Sequence, residues 1–270
     1  MAAPGVTFDA PDPAAAEALA RLYDLDLAAD PGDVELYLAL AGRTGGRVLE
    51  LAVGSGRIAV PLALAGHRVT GVDRDPAMLT RARERAARAG IADAGGTLDL
   101  VEADVVGLAL PDGRAFDLGI LALNSLMLLG TRTAQQAAIR ALADHLVPGG
   151  LATVDVWLPD ADDLARYDGR VILEWPRLDP ETGRIVTKTG SAQYDAATGV
   201  VDLTSMFEEG GQGEPAVRWV RHDRLRLVSA DELVGFAETA GLRVETLAGG
   251  YDLEPFGPGC DRAVLVAVRA

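Results

Sequence analysis

The sequence predicts an α/β protein built on a doubly wound, seven-stranded sheet, with an antiparallel β-sheet inserted late in the chain. Three observations carry this. Between Arg47 and Trp157 short apolar runs alternate with amphipathic helical stretches, the pattern of a parallel sheet with helices on both faces. After Trp157 the helical periodicity stops and four strand-like runs follow, joined by Gly-ended turns. From Ser229 a helix and two apolar runs resume the first pattern.

Taken in order, residues 1–12 are small and punctuated by proline, and read as a mobile tail. Ala14 to Leu27 has helical periodicity, with Leu19, Leu22 and Tyr23 on one face. Asp30-Pro-Gly-Asp33 makes a turn and caps a second helix, Val34 to Ala41. Strands are expected at 47–52, 68–72, 98–102, 116–123 and 151–157, with helices near 58–65, 76–89 and 133–145. Asp75-Pro76 opens the middle helix as N-cap and first helical residue. The inserted strands fall at Val171–Trp175, Arg184–Tyr194, Val200–Glu208 and Val217–Val228, turned by Asp179-Pro-Glu-Thr-Gly183 and Asp195-Ala-Ala-Thr-Gly199. Ser229-Ala-Asp-Glu232 reads as a capping box for a helix through Ala240, which Gly241 ends. Strands at 243–247 and 263–268 complete the sheet, the last antiparallel. The division is then an N-terminal helical segment (1–42), an α/β core (43–157 and 229–270) and a β insert (158–228).

At 270 residues the chain can bury a full core as one domain with an insertion. Its net charge of −15 argues against a nucleic-acid partner, which needs a basic face. A lone cysteine, Cys260, allows no intrachain disulfide, and no metal-ligand cluster is evident. No signal-like segment and no run of about 18 apolar residues is seen, so no membrane partner and a cytoplasmic location are expected. A monomer or homodimer acting on a small molecule fits these bounds.

The most informative stretch is Arg47-Val-Leu-Glu-Leu-Ala-Val-Gly-Ser-Gly-Arg57, followed by Arg68-Val-Thr-Gly-Val-Asp73. Glycine is needed where backbone approaches a ligand, because a Cβ at Gly54 or Gly56 would fill the ligand's volume. An acid ending the second strand, Asp73, is placed to accept from both hydroxyls of a ribose. Gly54-Ser-Gly56-Arg-Ile-Ala59 also fits the dinucleotide pattern, with Asp73 19 residues past Gly54, so a nicotinamide cofactor is a rival. Glu50 argues otherwise. A carboxylate ahead of the glycines would repel a pyrophosphate but attract a cation. With a third acid, Asp104, after the next strand, the pattern suits S-adenosylmethionine (SAM).

On these residues the chain resembles the class I SAM-dependent methyltransferases, over roughly residues 20 to 157 and again near the C-terminus. The family's glycine loop stands here as Glu50-Leu-Ala52-Val-Gly54-Ser-Gly56, with Ala52 in place of the first glycine. The resemblance implies a Rossmann-like methyltransferase fold, a ribose acid at Asp73 and an adenine-edge acid at Asp104. It also places a post-strand motif at Phe116 to Asn124-Ser125 and a typical turn at Leu146-Val-Pro-Gly-Gly-Leu151. Arg74, Met78, Val105 and Leu123 join the expected cofactor contacts, and the N-terminal helices would form a lid that brings Tyr23 to the methionine end. The insert resembles that of small-molecule N- and O-methyltransferases, including amino-sugar and glycine-type enzymes.

Methyl transfer from a sulfonium needs alignment more than acid–base chemistry. A hydroxyl acceptor wants a base, and a neutral amine does not. His222, in Arg218-Trp-Val-Arg-His222-Asp223, and Asp155, inside an apolar strand, are the candidate bases. Trp157, Tyr251 and Glu254 are candidate substrate contacts. Two alternatives stay open: a SAM-binding protein of this fold without methyl transfer (a cyclase or binding module), and a nicotinamide oxidoreductase. The short-chain form of the latter needs Tyr-x-x-x-Lys, and the one lysine, Lys188, has Arg184 in that place.

Overall fold

The computed structural model describes residues 12–28, 31–111, 116–210 and 215–270. Almost all of the expected N-terminal tail, and Asp30 of the expected turn, lie outside them. The strands are β1 (Arg47–Leu51), β2 (Arg68–Asp73), β3 (Thr97–Glu102), β4 (Phe116–Leu121), β5 (Leu146–Trp157), β6 (Asp168–Leu178), β7 (Ile185–Asp195), β8 (Val200–Gly210), β9 (Val217–Arg226), β10 (Leu242–Ala248) and β11 (Arg262–Arg269). The helices are α1 (Pro13–Asp26), α2 (Val34–Gly42), α3 (Ala59–Leu64), α4 (Pro76–Ala89), α5 (Arg132–Asp144), α6 (Ala161–Arg166) and α7 (Ala230–Thr239).

Seven strands form one sheet in the order β10-β11-β5-β4-β1-β2-β3. β1 to β5 run parallel and β11 antiparallel to its neighbours. Alternate residues of the central strands enter opposite cores. Leu49, Leu51 and Leu121 meet Ile139 and Leu142 of α5 and Phe236 of α7, while Val48, Leu118 and Ile120 meet Leu40 of α2, Leu62 of α3 and Leu79 of α4. Both faces are therefore apolar and helix-covered, as a doubly wound sheet requires.

β6 to β9 form a separate antiparallel sheet in sequence order. Its hairpin turns close as expected, with Gly183 N donating to Asp179 O (2.8 Å) and Gly199 N to Asp195 O (2.9 Å). α6, not anticipated, has only six residues and almost no apolar periodicity; a reciprocal capping box between Asp160 and Asp163 holds it instead. The box expected at Ser229 is half made. Ser229 Oγ accepts from Glu232 N (3.2 Å), but the Glu232 carboxylate pairs with Arg132 and Arg226. Asp33 likewise makes no side-chain cap on α2, because Arg57 takes its carboxylate.

α1 lies on the face of the inserted sheet that carries Trp175, Phe207 and Trp219. Leu22 and Leu25 pack there with Val186 and Phe207. Buried Lys188 ties Asp26 of α1 (2.6 Å) to Glu174 of β6 (2.8 Å), and Arg21 pairs with Glu209 (2.8 Å) and Asp179. Asp24 reaches the other way, to Arg81 (2.7 Å) and Arg85 (2.9 Å) of α4. The N-terminal helix is thus pinned to both sheets' surroundings at once.

Candidate active site

The strand order reverses between β1 and β4, and the loops at their carboxyl ends diverge there. Such a switch point opens the crevice in which open α/β sheets bind ligands. On the β1 side Val53 N donates to Val72 O (3.0 Å) and folds the glycine loop back over β2. Gly54 N then donates to Asp73 Oδ2 (2.8 Å), and Asp75 N to Asp73 Oδ1 (2.9 Å). Two backbone donors fix the Asp73 carboxylate and leave it acceptor capacity for a diol.

The glycines do different work. A Cβ at Gly54 would meet nothing within 4 Å, so that position is an open cradle at φ +53°. At Gly56 a Cβ would lie 3.2 Å from Ala82 Cβ of α4. Gly56 therefore also serves helix packing. Ala52 holds φ 55°, a left-handed conformation that costs a residue with a Cβ about 1–2 kcal/mol. The replaced glycine shows itself as backbone strain.

Glu50 is 3% exposed, and its Oε2 has no hydrogen-bond partner. Burial pushes its pKa to about 8, with nearby Arg57 opposing the shift and Asp33 and Asp73 reinforcing it. Arg57 is itself held by a two-pronged pair with Asp33 (2.6 and 2.7 Å). Tyr23 of α1 is half-buried, with the Arg221 guanidinium 5.6 Å from its ring centre. The lid expectation for Tyr23 thus acquires a partner from the insert.

On the β4 side the strand ends at Leu121, because Leu123 (φ 49°) and Asn124 (φ 63°) turn left-handed. Two consecutive non-glycine residues in that region mark a strained segment, fixed by its surroundings. Asn124 Oδ1 accepts from Trp157 N (2.6 Å). Leu123 N donates to Asp155 Oδ1 (2.7 Å), which also accepts from Tyr37 Oη (2.6 Å). Asp155 Oδ2 accepts from Arg262 (2.6 Å) and Tyr251 Oη (3.1 Å). Asp155 is fully buried and all four of its acceptor positions are taken. Burial raises its pKa against these donors, yet no oxygen is left for a substrate proton.

The remaining expected residues divide. Val105 is buried, Met78 half-buried, and Arg74 exposed. Asp104 is exposed after β3, where it accepts from Val106 N (2.8 Å). Tyr251 joins the Asp155 cluster, while Glu254 is exposed in the same loop. His222 is not brought to the crevice. It is exposed on β9, bonded to Thr204 Oγ1 (3.0 Å), on the opposite face from Arg221. Trp157 instead fronts a cavity of about 580 Å³ between α6 and the inserted sheet, with Tyr167, Leu203 and Leu225 among its walls.

Residues 48–150 match the family described as a methyltransferase domain. Over this segment the chain is similar to the class I SAM-dependent methyltransferases. SAM is the cofactor of this family. Cypemycin N-terminal methyltransferase of a Streptomyces species is 29% identical over 83% of this chain and 82% of its own. The dTDP-3-amino-3,4,6-trideoxy-α-D-glucopyranose N,N-dimethyltransferase of Streptomyces venezuelae is 27% identical over 86% of this chain and 92% of its own. SAM-bound CalS10, an amino pentose methyltransferase from Micromonospora echinaspora, shares the fold with a TM-score of 0.64 at 20% identity, covering 100% of both chains. Uncharacterized mycobacterial proteins match at 51% identity over 49 residues, and the chain spans 18% of their length there.

The chain's own residues fit the cofactor. The partnerless Glu50 oxygen suits an ammonium, the Gly54 cradle suits close approach, and Asp73 is oriented for a ribose. Asp24, Asp33, Arg57 and Arg221 were not anticipated. Only Arg57, a charge set inside the glycine loop, left a signal in the sequence.

Proposed function

We propose that this methyltransferase methylates a nitrogen of a small-molecule amine, aligned by proximity and without a general base. The observation that carries the reading is the state of the two candidate bases. Asp155 is saturated and His222 faces away from the crevice. The names of the cypemycin and amino-sugar relatives, both N-methyltransferases, support a nitrogen acceptor.

When bound, SAM supplies a methyl group already activated by its sulfonium. Glu50 would hold its ammonium, Asp73 its ribose and Asp104 its adenine amino edge. Val105, Met78, Leu123 and the loop Ala52–Gly56 would border it, with Tyr23 as lid and Arg74 at the rim. Trp157 would front the acceptor, which the insert would roof, with Tyr251 and Glu254 at the mouth of that site. The amine lone pair forms the new C–N bond as the S–C bond breaks. The resulting ammonium loses its proton to water, so the chain need only admit a neutral amine and exclude competing nucleophiles.

Asp73→Ala should weaken SAM binding by about 1.5–3 kcal/mol through lost charge-assisted hydrogen bonds, measured by calorimetry on the folded variant. Unchanged affinity would remove Asp73 from the site. For transfer itself, kcat/KM should rise with pH and level off at the acceptor's own pKa, moving as amines of different basicity are compared. His222→Asn should stay within about tenfold of the parent, where a lost base would cost roughly 10²–10⁴-fold. A pH limb that stays fixed across acceptors, together with a His222→Asn loss of that size, would replace this reading with base-assisted methylation.

A further inference from the structure

The cavity in front of Trp157 says more about the acceptor than its nitrogen. Its aromatic side is made by Trp157 and Tyr167, whose rings stand 6.1 Å apart and tilted by 53°. The opposite side is the inner face of the inserted sheet, where Val201, Leu203 and Leu225 lie on alternate positions of β8 and β9. At about 580 Å³ the space suits a compact metabolite with an apolar body.

The charges on its wall decide against a phosphorylated acceptor. Two arginines line it, and each already faces a carboxylate. Arg170 forks onto Asp168 (2.6 and 2.9 Å), and Arg166 lies 3.7 Å from Asp163. Buried Lys188 is committed between Asp26 and Glu174. A diphosphate needs an excess of cations or backbone donors to replace its hydration, and the charged side chains of the lining balance, Arg166 and Arg170 against Asp163 and Glu174. The net charge of −15 opposes an anionic ligand at longer range.

The acidic side of the wall is built with care. A Cβ on residue 190 would collide with the Glu174 carboxylate, so Gly190 makes room for that group against the strand. Lys188 holds one of its oxygens and leaves the carboxylate as a lining group of the cavity. Such a wall offers a carboxylate to an approaching amine.

Resting on the reading of this cavity as the acceptor site, we infer that the methyltransferase acts on an apolar, ring-bearing amine free of phosphate. A nucleotide-linked amino sugar, with its charged diphosphate, suits this apolar lining less well. The dTDP-sugar relative and this chain then share a fold and a reaction while differing in acceptor chemistry.

Calorimetry on the full chain saturated with S-adenosylhomocysteine tests this, with 4-phenylbutylamine and dTDP as probes. The amine should bind and dTDP should be silent. Trp157→Ala and Leu203→Gln should each weaken the amine about tenfold or more, with S-adenosylhomocysteine binding kept as the sign of a folded cofactor site. Gly190→Ala, which displaces Glu174, should weaken the amine while sparing its uncharged analogue 4-phenylbutanol. Tight dTDP binding, no amine binding at millimolar concentration, or amine binding indifferent to both wall variants would overturn the inference. Failure of S-adenosylhomocysteine to bind the parent chain would instead strike at the cofactor reading beneath it.

Discussion

Asp155→Ala is expected to destabilise the protein by about 3–5 kcal/mol, the usual cost of stripping one partner from a buried ion pair. The substitution leaves Arg262 beside an empty site, and it orphans Tyr37 Oη and Leu123 N inside the core. A chain of this size should lose on the order of 10 °C in Tm. Asp155→Asn should fall between, because an amide can still accept from Leu123 and Tyr37 but cannot answer the Arg262 charge.

The same variants separate an anchor from a base. Asp155 reaches the crevice through the strained Leu123–Asn124 turn, and Asn124 in turn fixes Trp157. A positioning role predicts that Asp155→Asn lowers kcat and alters KM while the pH profile keeps its shape. A base role predicts loss of a titrating limb with stability nearly intact. Wild-type Tm in Asp155→Ala would sink the anchor account.

Legibility in the sequence tracks how local the determining physics is. The parallel strands of the sheet's interior were readable because apolar residues dominate them, while the edge strand β3 alternates apolar and polar residues, and the alternation with helices follows from the sheet they build. Glu50, Gly54 and Asp73 were readable because strand tips and a glycine turn mark a ligand loop within a short window. His222 was not. In Arg218-Trp-Val-Arg-His222-Asp223 polar and apolar residues fall on both parities, so the sequence cannot say which face meets α1. The saturation of Asp155 was hidden for another reason, since its partners stand at residues 37, 123, 251 and 262 and only the folded sheet gathers them. Asp33 reads in the sequence as an ordinary helix cap, yet its carboxylate pairs with Arg57, as Asp24 pairs with Arg81.

Glu50 should couple cofactor binding to proton release. In the folded protein its pKa stands at about 8 against an ordinary 4.5, and burial is the main cause. A carboxyl group raised in this way is favoured as the neutral acid. Its contribution to stability is therefore full below pH 4.5 and is lost as pH rises through about 8. Glu50→Gln, neutral at every pH, should flatten that decline and make the protein more stable than the parent at alkaline pH. The cofactor's ammonium, placed against the partnerless Oε2, reverses the preference and favours the ionised form. Near pH 6 the parent should thus release about one proton on binding SAM, seen as a calorimetric enthalpy that varies with the buffer's ionisation enthalpy. Glu50→Gln should show no such variation and should bind SAM more weakly by about 2–5 kcal/mol, as expected for truncating one side of a buried charge pair. Equal binding enthalpies in all buffers for the parent, or undiminished affinity in Glu50→Gln, would place the ammonium elsewhere and return Glu50 to the role of a buried, protonated strand residue.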